Sequence, residues 1–297
     1  MILLYCIRAI MGTSTEFGKV RIMHKGTAFF KKTENIRIPW SNQNPINLSD
    51  VYQTNSEDLS DVYQTNFEKR KSFLEDAKNA RQSLLNASKQ MDNKLFYEKI
   101  TIEAFCPNIE RVGSSGDGGK FVCNPELSRK GCILLSLGLN NQITFEEDFQ
   151  NRTKLKCKLF GIDVSQQNDM TLKSYKNIGG KAYVGEIGKN YPIAKLLDES
   201  SKKQADFLKI DIEGAEHYAL IPFLKNNFVC QIFLEIHYTP TQQMKLMSQI
   251  ANLGFRLFNF EPNPLCPQCC EYSYINELCM DEYNVVLLSY RVPLDFF

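Results

Sequence analysis

Charge of one sign is what this 297-residue sequence lacks: 35 lysines and arginines stand against 34 aspartates and glutamates, a net charge of +1. No long-range field is left to draw in nucleic acid or an anionic membrane, so a nucleic-acid partner is not indicated. Long apolar runs are missing too. The apolar start, Met1 to Met11, is broken by Arg8 and falls short of the roughly 18 residues a bilayer span needs. A signal peptide would also want a basic start and a small-residue cleavage site, and only the apolar part is there. Membrane attachment through residues 1–11 rests on that part alone, against a start that is merely buried or truncated. With 43% hydrophobic and 23% charged residues, the composition excludes disorder, collagen and a membrane bundle and leaves enough for a packed core.

Cysteine, by contrast, is plentiful. Ten are more than an ordinary cytosolic enzyme of this size needs, which favours the secretory pathway over the cytoplasm. Cys266-Pro-Gln-Cys-Cys270 with Cys279 suits disulfides better than zinc, because adjacent Cys269 and Cys270 can rarely both face one ion. Cys106 and Cys123, flanking a glycine-rich loop, are a second candidate pair.

The chain reads as three parts: a poorly ordered segment and linker over residues 1–66, a stem helix over 67–95, and a folded α/β domain over 96–297. Within the linker, Leu48-Ser-Asp-Val-Tyr-Gln-Thr-Asn55 recurs as Leu59-Ser-Asp-Val-Tyr-Gln-Thr-Asn66, too few repeats for a solenoid. Leu74, Ala77, Leu84, Met91 and Leu95 recur at helical spacing, with Arg81 and Ser88 spoiling the stripe. After Ile100, short apolar runs alternate with amphipathic stretches, the pattern of βαβ units and a parallel sheet. Strands are expected at Cys132–Leu137, Lys158–Asp163, Lys181–Gly185, Ala205–Asp211, Val229–His237, Phe255–Phe260 and Tyr283–Tyr290. Thr144 with Glu147, and Thr239-Pro-Thr-Gln242, are capping boxes that start helices, and Gly254 ends one. The last two strands have no helix between them and so are antiparallel neighbours.

In an open α/β sheet a ligand sits beyond the carboxyl ends of the strands, where the strand order reverses. The first strand ends at Gly138, which lets the backbone pass close to a ligand, although the second and third glycines of the dinucleotide fingerprint are absent. The second ends at Asp163, suited to accept both hydroxyls of an adenosine ribose or, alternatively, to cap a helix. The third runs into Gly185-Glu186-Ile187-Gly188, able to flank an adenine. The fourth, Asp206 to Glu216, delivers three carboxylates around a glycine turn. On the fifth, Glu235 and His237 share one face by the two-residue strand period.

Arg111-Val-Gly-Ser-Ser-Gly-Asp-Gly-Gly-Lys-Phe-Val-Cys123, Leu135-Ser-Leu-Gly138 with Phe145-Glu146, Phe207-Leu-Lys-Ile-Asp-Ile-Glu-Gly-Ala-Glu216 and Leu234-Glu-Ile-His237 resemble, in this order, the FkbM-related methyltransferase-domain proteins common in nematodes and other animals. The resemblance implies an α/β, Rossmann-like class I methyltransferase sheet of seven strands, mostly parallel with one antiparallel edge strand, behind an N-terminal helical stem. It implies S-adenosylmethionine as cofactor, held by Gly138, Asn140, Glu146 and Asp163 with Glu186 near the adenine, and Asp211 with Glu213 beside the transferred methyl.

Methyl transfer needs the acceptor aligned and, for a hydroxyl, a proton removed, for which Asp211, Glu213 and His237 are the candidates. Asp117 and Lys120, in and after the Gly116–Gly119 loop, are placed on the substrate side, and no metal is assigned. The acceptor is an oxygen or nitrogen of a small molecule, glycan or protein. A catalytically silent binding or scaffold module of the same fold is the alternative. A nicotinamide-linked oxidoreductase ranks behind both for want of the glycine fingerprint.

Overall fold

Between Ser56 and Ser88 the sequence contains neither proline nor glycine, and it forms one helix, α1 (Ser56–Ser88). The computed structural model describes residues 56–116 and 118–296, with side chains from residue 67 onward. Residues 1–55, including the apolar start and the first copy of the octamer, and Asp117 lie outside the described residues. The helix thus begins earlier than the hydrophobic stripe implied, three residues ahead of the second octamer. It also ends earlier, because Asp92 caps a separate helix, α2 (Asn93–Lys99), by accepting from the Leu95 N–H at 3.0 Å. The two residues that interrupt the stripe are used: Arg81 donates to the Tyr290 carbonyl, and the buried Ser88 donates to the Leu85 carbonyl.

Two short ribbons precede and flank the main sheet: β1 (Ala104–Phe105) and the hairpin β2 (Ile109–Val112) with β3 (Lys120–Cys123). The main strands are β4 (Ile133–Leu137), β5 (Lys158–Asp163), β6 (Gly180–Val184), β7 (Gln204–Ile210), β8 (Phe228–Ile236), β9 (Phe255–Pro262) and β10 (Cys270–Asn276). They lie in the order β6-β5-β4-β7-β8-β10-β9. The helices between them are α3 (Thr144–Arg152), α4 (Asp169–Asn177), α5 (Ile193–Glu199), α6 (Glu216–Leu224) and α7 (Pro240–Asn252). Interior parallel strands are apolar on both faces because helices cover both. Ile133, Leu135 and Leu137 accordingly face one apolar cluster, with Leu196, Leu220 and Met247, while Leu134 faces the other, with Phe145, Phe149 and Tyr175.

The reversed strand is β10, which pairs antiparallel with both β8 and β9, so it sits one place in from the edge rather than at it. Its segment, Cys270-Glu-Tyr-Ser-Tyr-Ile-Asn276, is buried on both faces and shows no alternation, which hid it among the cysteines. The strand expected at 283–290 shrinks to β11 (Val286–Leu287), paired with β1. Both of its residues are exposed, so little burial supports a longer strand there. The Thr144 capping box does not form either. Ile143 is the capping residue and its carbonyl accepts the Glu147 N–H at 2.9 Å, which puts Thr144 inside the first turn. The Thr239 box does form, with both reciprocal bonds to Gln242.

Four disulfides join Cys106 to Cys123, Cys132 to Cys157, Cys230 to Cys279 and Cys266 to Cys269. Cys270 is a buried free thiol. At the C-terminus, the fully buried Glu103 carboxylate accepts the Arg291 and Val292 N–H groups at 2.7 and 2.9 Å. The order of β4, β5 and β6 runs one way from the centre and that of β7 and β8 the other. The crevice of interest therefore opens beyond the ends of β4 and β7.

Candidate functional site

Gly138, the first residue after β4, has φ +82°, and a Cβ built on it would lie 1.8 Å from the Asp211 carbonyl oxygen. Only hydrogen fits, so the chain passing out of β4 touches the chain passing out of β7. Lys209 on β7 secures this contact by donating to the Gly138 carbonyl at 3.0 Å, and its ammonium is 3.5 Å from the Glu146 carboxylate. Glu146 is buried beneath the turn, where it also accepts from the Ser136 hydroxyl. It therefore acts on the crevice through Lys209 rather than by facing it.

Asn140 and Asn141 follow in the left-handed region, which asparagine tolerates better than most residues. The Asn140 N–H donates to Asp163 Oδ2 at 2.7 Å, and the Ser165 N–H donates to Oδ1 at 2.9 Å. The Asn141 N–H reaches Gln167 at 2.6 Å, and its side-chain oxygen accepts the Asn168 N–H at 2.8 Å. Helix α4 is capped by Asn168, so Asp163 is left to join the turns after β4 and β5. The Gly185 N–H binds the Asp163 carbonyl at 2.9 Å, bringing the end of β6 alongside. Glu186, next in the chain, lies on the outer rim with its carboxylate 2.6 Å from Lys189.

The other wall is acidic. Asp211 follows β7, Glu235 lies near the end of β8, and Glu271 lies opposite Glu235 in the β8–β10 register. Their carboxylates come within 4.8 Å of one another. The Lys120 ammonium, 1% exposed, pairs with Glu271 and lies 3.6 Å from Asp211. It is part of the core of this wall and not a surface group on the substrate side. Burial opposes the charge on Asp211, but Lys120 and then Lys209 hold its carboxyl below the ordinary range. Glu235 is pushed up to about 8, by burial first and then by Glu271 and Asp211, so at neutral pH it carries a proton. Its Oε1 accepts from Asn263 at 2.9 Å.

His237 follows β8. Burial works against its charge, yet Glu216, bonded to Nδ1 at 2.9 Å, raises it to about 9. The second Glu216 oxygen accepts the Gly214 N–H at 2.9 Å, so this buried carboxylate ties the turn after β7 to the imidazole. Gly214 has φ +99°, and a Cβ there would strike the Tyr238 hydroxyl. Glu213 is 86% exposed, with one oxygen 3.4 Å from His237 Nε2. Asp211, Glu213 and His237 together could offer three ligand atoms to an ion, as could Asp211, Glu235 and Glu271, although Lys120 already bridges two of the latter.

The methyltransferase FkbM domain matches residues 92–257, from the cap of α2 into β9. The chain belongs to the FkbM methyltransferase family. Among solved structures, this FkbM domain is similar to the Methanococcus jannaschii fibrillarin pre-rRNA processing protein, at 12% identity and a TM-score of 0.40, over 52% of this chain and 70% of that one. It is also similar to the Aeropyrum pernix fibrillarin, crystallised with natively bound S-adenosyl-L-methionine, at 8% identity and a TM-score of 0.37, over 57% and 82%. The M. capricolum TrmK structure with S-adenosyl-homocysteine gives 12% identity and a TM-score of 0.36, over 52% and 65%. No curated protein matches the chain.

Of the residues singled out from the sequence, the FkbM domain brings Gly138, Asn140, Asp163, Asp211, Glu213 and His237 to one edge of the sheet. Glu146 and Lys120 lie behind that edge, and Glu186 on its rim. Lys209, Asn263 and Glu271 were missed, and Glu216 was counted among the carboxylates after the fourth strand without a role. Lys209 had a signal, a lysine between Leu208 and Ile210 in an otherwise apolar strand end. Glu271 had none without β10. Beside the acidic wall a cleft of about 750 Å³ opens between α2 and the end of β9, lined by Asn93, Tyr97, Phe260, Pro262 and Gln268, and by Asn263, which joins it to Glu235.

Proposed function

We propose that this FkbM domain binds S-adenosylmethionine across Gly138, Asn140 and Asp163 and transfers its methyl to an oxygen or nitrogen of a small molecule, glycan or protein. The observation that carries this reading is the contact of Gly138 with the Asp211 backbone at the point where the strand order reverses. The donors fit the cofactor. Each Asp163 oxygen accepts one backbone N–H and keeps a lone pair for a ribose hydroxyl, since a carboxylate has about four acceptor sites. When bound, the cofactor supplies a methyl already activated by its positive sulfur.

The chain's own residues then have a short task. Glu186 on the rim suits the adenine end, and Asp211 and Glu213 the methyl end. A neutral imidazole is scarce below pH 9, so His237 serves as a fixed cation that holds Glu213 and Glu216. The ionised Asp211 is the group ready to take the proton of a hydroxyl acceptor, and the Asn263 cleft is the acceptor's approach. Four disulfides support maturation in an oxidising compartment. Among the described residues, no helix is long and apolar enough to cross a membrane.

Calorimetric titration with S-adenosylmethionine is the test. Saturable heat is expected, and Asp163→Ala should weaken binding by about tenfold or more, the loss of one to two hydrogen bonds to a charged group. Absence of heat in the wild-type protein would favour the silent binding module instead.

A further inference from the structure

Lysine is almost never fully buried unless paired, and Lys120 is buried among three carboxylates, Glu235 on β8, Glu271 on β10 and Asp211 just after β7. It reaches them from β3, outside the main sheet, where its backbone pairs with Val112 across the hairpin. The charged and titratable groups around Asp211 are Lys120 from β3, Lys209 from β7, Glu213 from the turn after β7, Glu235 from β8, His237 just after it, and Glu271 from β10. Lys209 is committed to Glu146 and the Gly138 carbonyl, and His237 to Glu216. Glu271 Oε2 has no hydrogen-bond partner. Among the described residues, Lys120 is the cation that ion-pairs with both Glu271 and Asp211.

We propose that Lys120 is a positioning residue of methyl transfer: its ammonium keeps Asp211 an oriented carboxylate at the crevice, so that this wall of the site holds a positively charged sulfur better than a neutral one. The inference rests on the reading that Asp211 lies beside the transferred methyl. An opposite charge within about 4–6 Å lowers a carboxyl by about 1–3 pH units, and burial would otherwise raise it. With Lys120 present, Asp211 stays ionised throughout the working range. The substrate cofactor is favoured over its demethylated product, which carries no charge on sulfur, and product release is eased.

The probes are S-adenosylmethionine and S-adenosylhomocysteine, each titrated calorimetrically into the full chain between pH 5 and 8. In the wild-type protein the ratio of the two affinities should favour the sulfonium and change little over this range. Lys120→Met leaves Glu271 buried without a counter-charge and can fail to fold. The charge-balanced Lys120→Met, Glu271→Gln double variant removes both partners together, and its melting temperature reports folding. In that variant the ratio should fall at the acid end, with a midpoint moved up by about one pH unit or more. Lys120→Arg, which keeps the charge, should restore most of the wild-type profile. A folded double variant with the wild-type profile would overturn the proposal, reducing Lys120 to the neutraliser of Glu271. A different result, no preference for the sulfonium in the wild type and none lost in Asp211→Asn, would instead remove the reading on which the proposal stands.

Discussion

At Gly138 two independent penalties coincide, a positive φ and the absence of space for a Cβ. Gly138→Ala should cost at least about 1–3 kcal/mol in thermal or urea melts, and S-adenosylmethionine binding should disappear with the crevice, as calorimetry would record. The pH dependence of stability follows from His237 and Glu235. His237 titrates near 9 in the fold against an ordinary 6.5, so the stability it contributes is complete below 6.5 and lost as pH rises through 9. Glu235 titrates near 8 against 4.5, so its contribution likewise fades as pH rises from 4.5 through 8. Melting temperature should fall between pH 6 and 9, and fall less in His237→Gln; a flat wild-type profile would contradict both assignments. Gly138, Asp163 and Asp211 were legible in the sequence because each ends an apolar run. The purpose of Glu146 was not, since burial beneath a turn leaves no mark on spacing.

Helix α7 shows how far local rules reach. Thr239, Pro240 and Gln242 spell its start, both reciprocal cap bonds form, and Gly254 closes it with a positive φ. The cap also fixes the turn that follows His237, where Tyr238 takes an unfavourable φ of 83°. Thr239→Ala should destabilise the domain by about 1 kcal/mol in urea denaturation. At Thr144 the same motif gave no cap, because the helix began one residue earlier. For β10 the local rules had nothing to read: a strand covered on both faces has no period of two, and its Cys-Glu-Tyr-Ser sequence carries little apolar continuity. The β4, β5, β7 and β8 strands were placed within about a residue or two because parallel interior strands are nearly all apolar.

For the molecule as a whole, the cross-links are concentrated around the sheet. Cys132–Cys157 joins the chain entering β4 to that entering β5, and Cys230–Cys279 ties β8 to the segment after β10. A disulfide typically contributes about 2–4 kcal/mol. Reduction of the folded protein should therefore lower its melting temperature by about 10 °C or more in a calorimetric scan. The parallel order of the sheet was legible from the alternation of strand and helix, and so was the Cys106–Cys123 pair, whereas Cys230–Cys279 depended on a strand the sequence concealed.

The insertion of β10 between β8 and β9 has a consequence for the order of assembly. On the ribosome, β8 and β9 are both complete before the strand that separates them has been made, so the sheet cannot be closed in the order in which it is synthesised. The growing chain must hold two open edges apart, or release a premature pairing, until residues 270–276 arrive as a wedge. A chain terminated after β9 should leave those edges bare and aggregate rather than melt cooperatively.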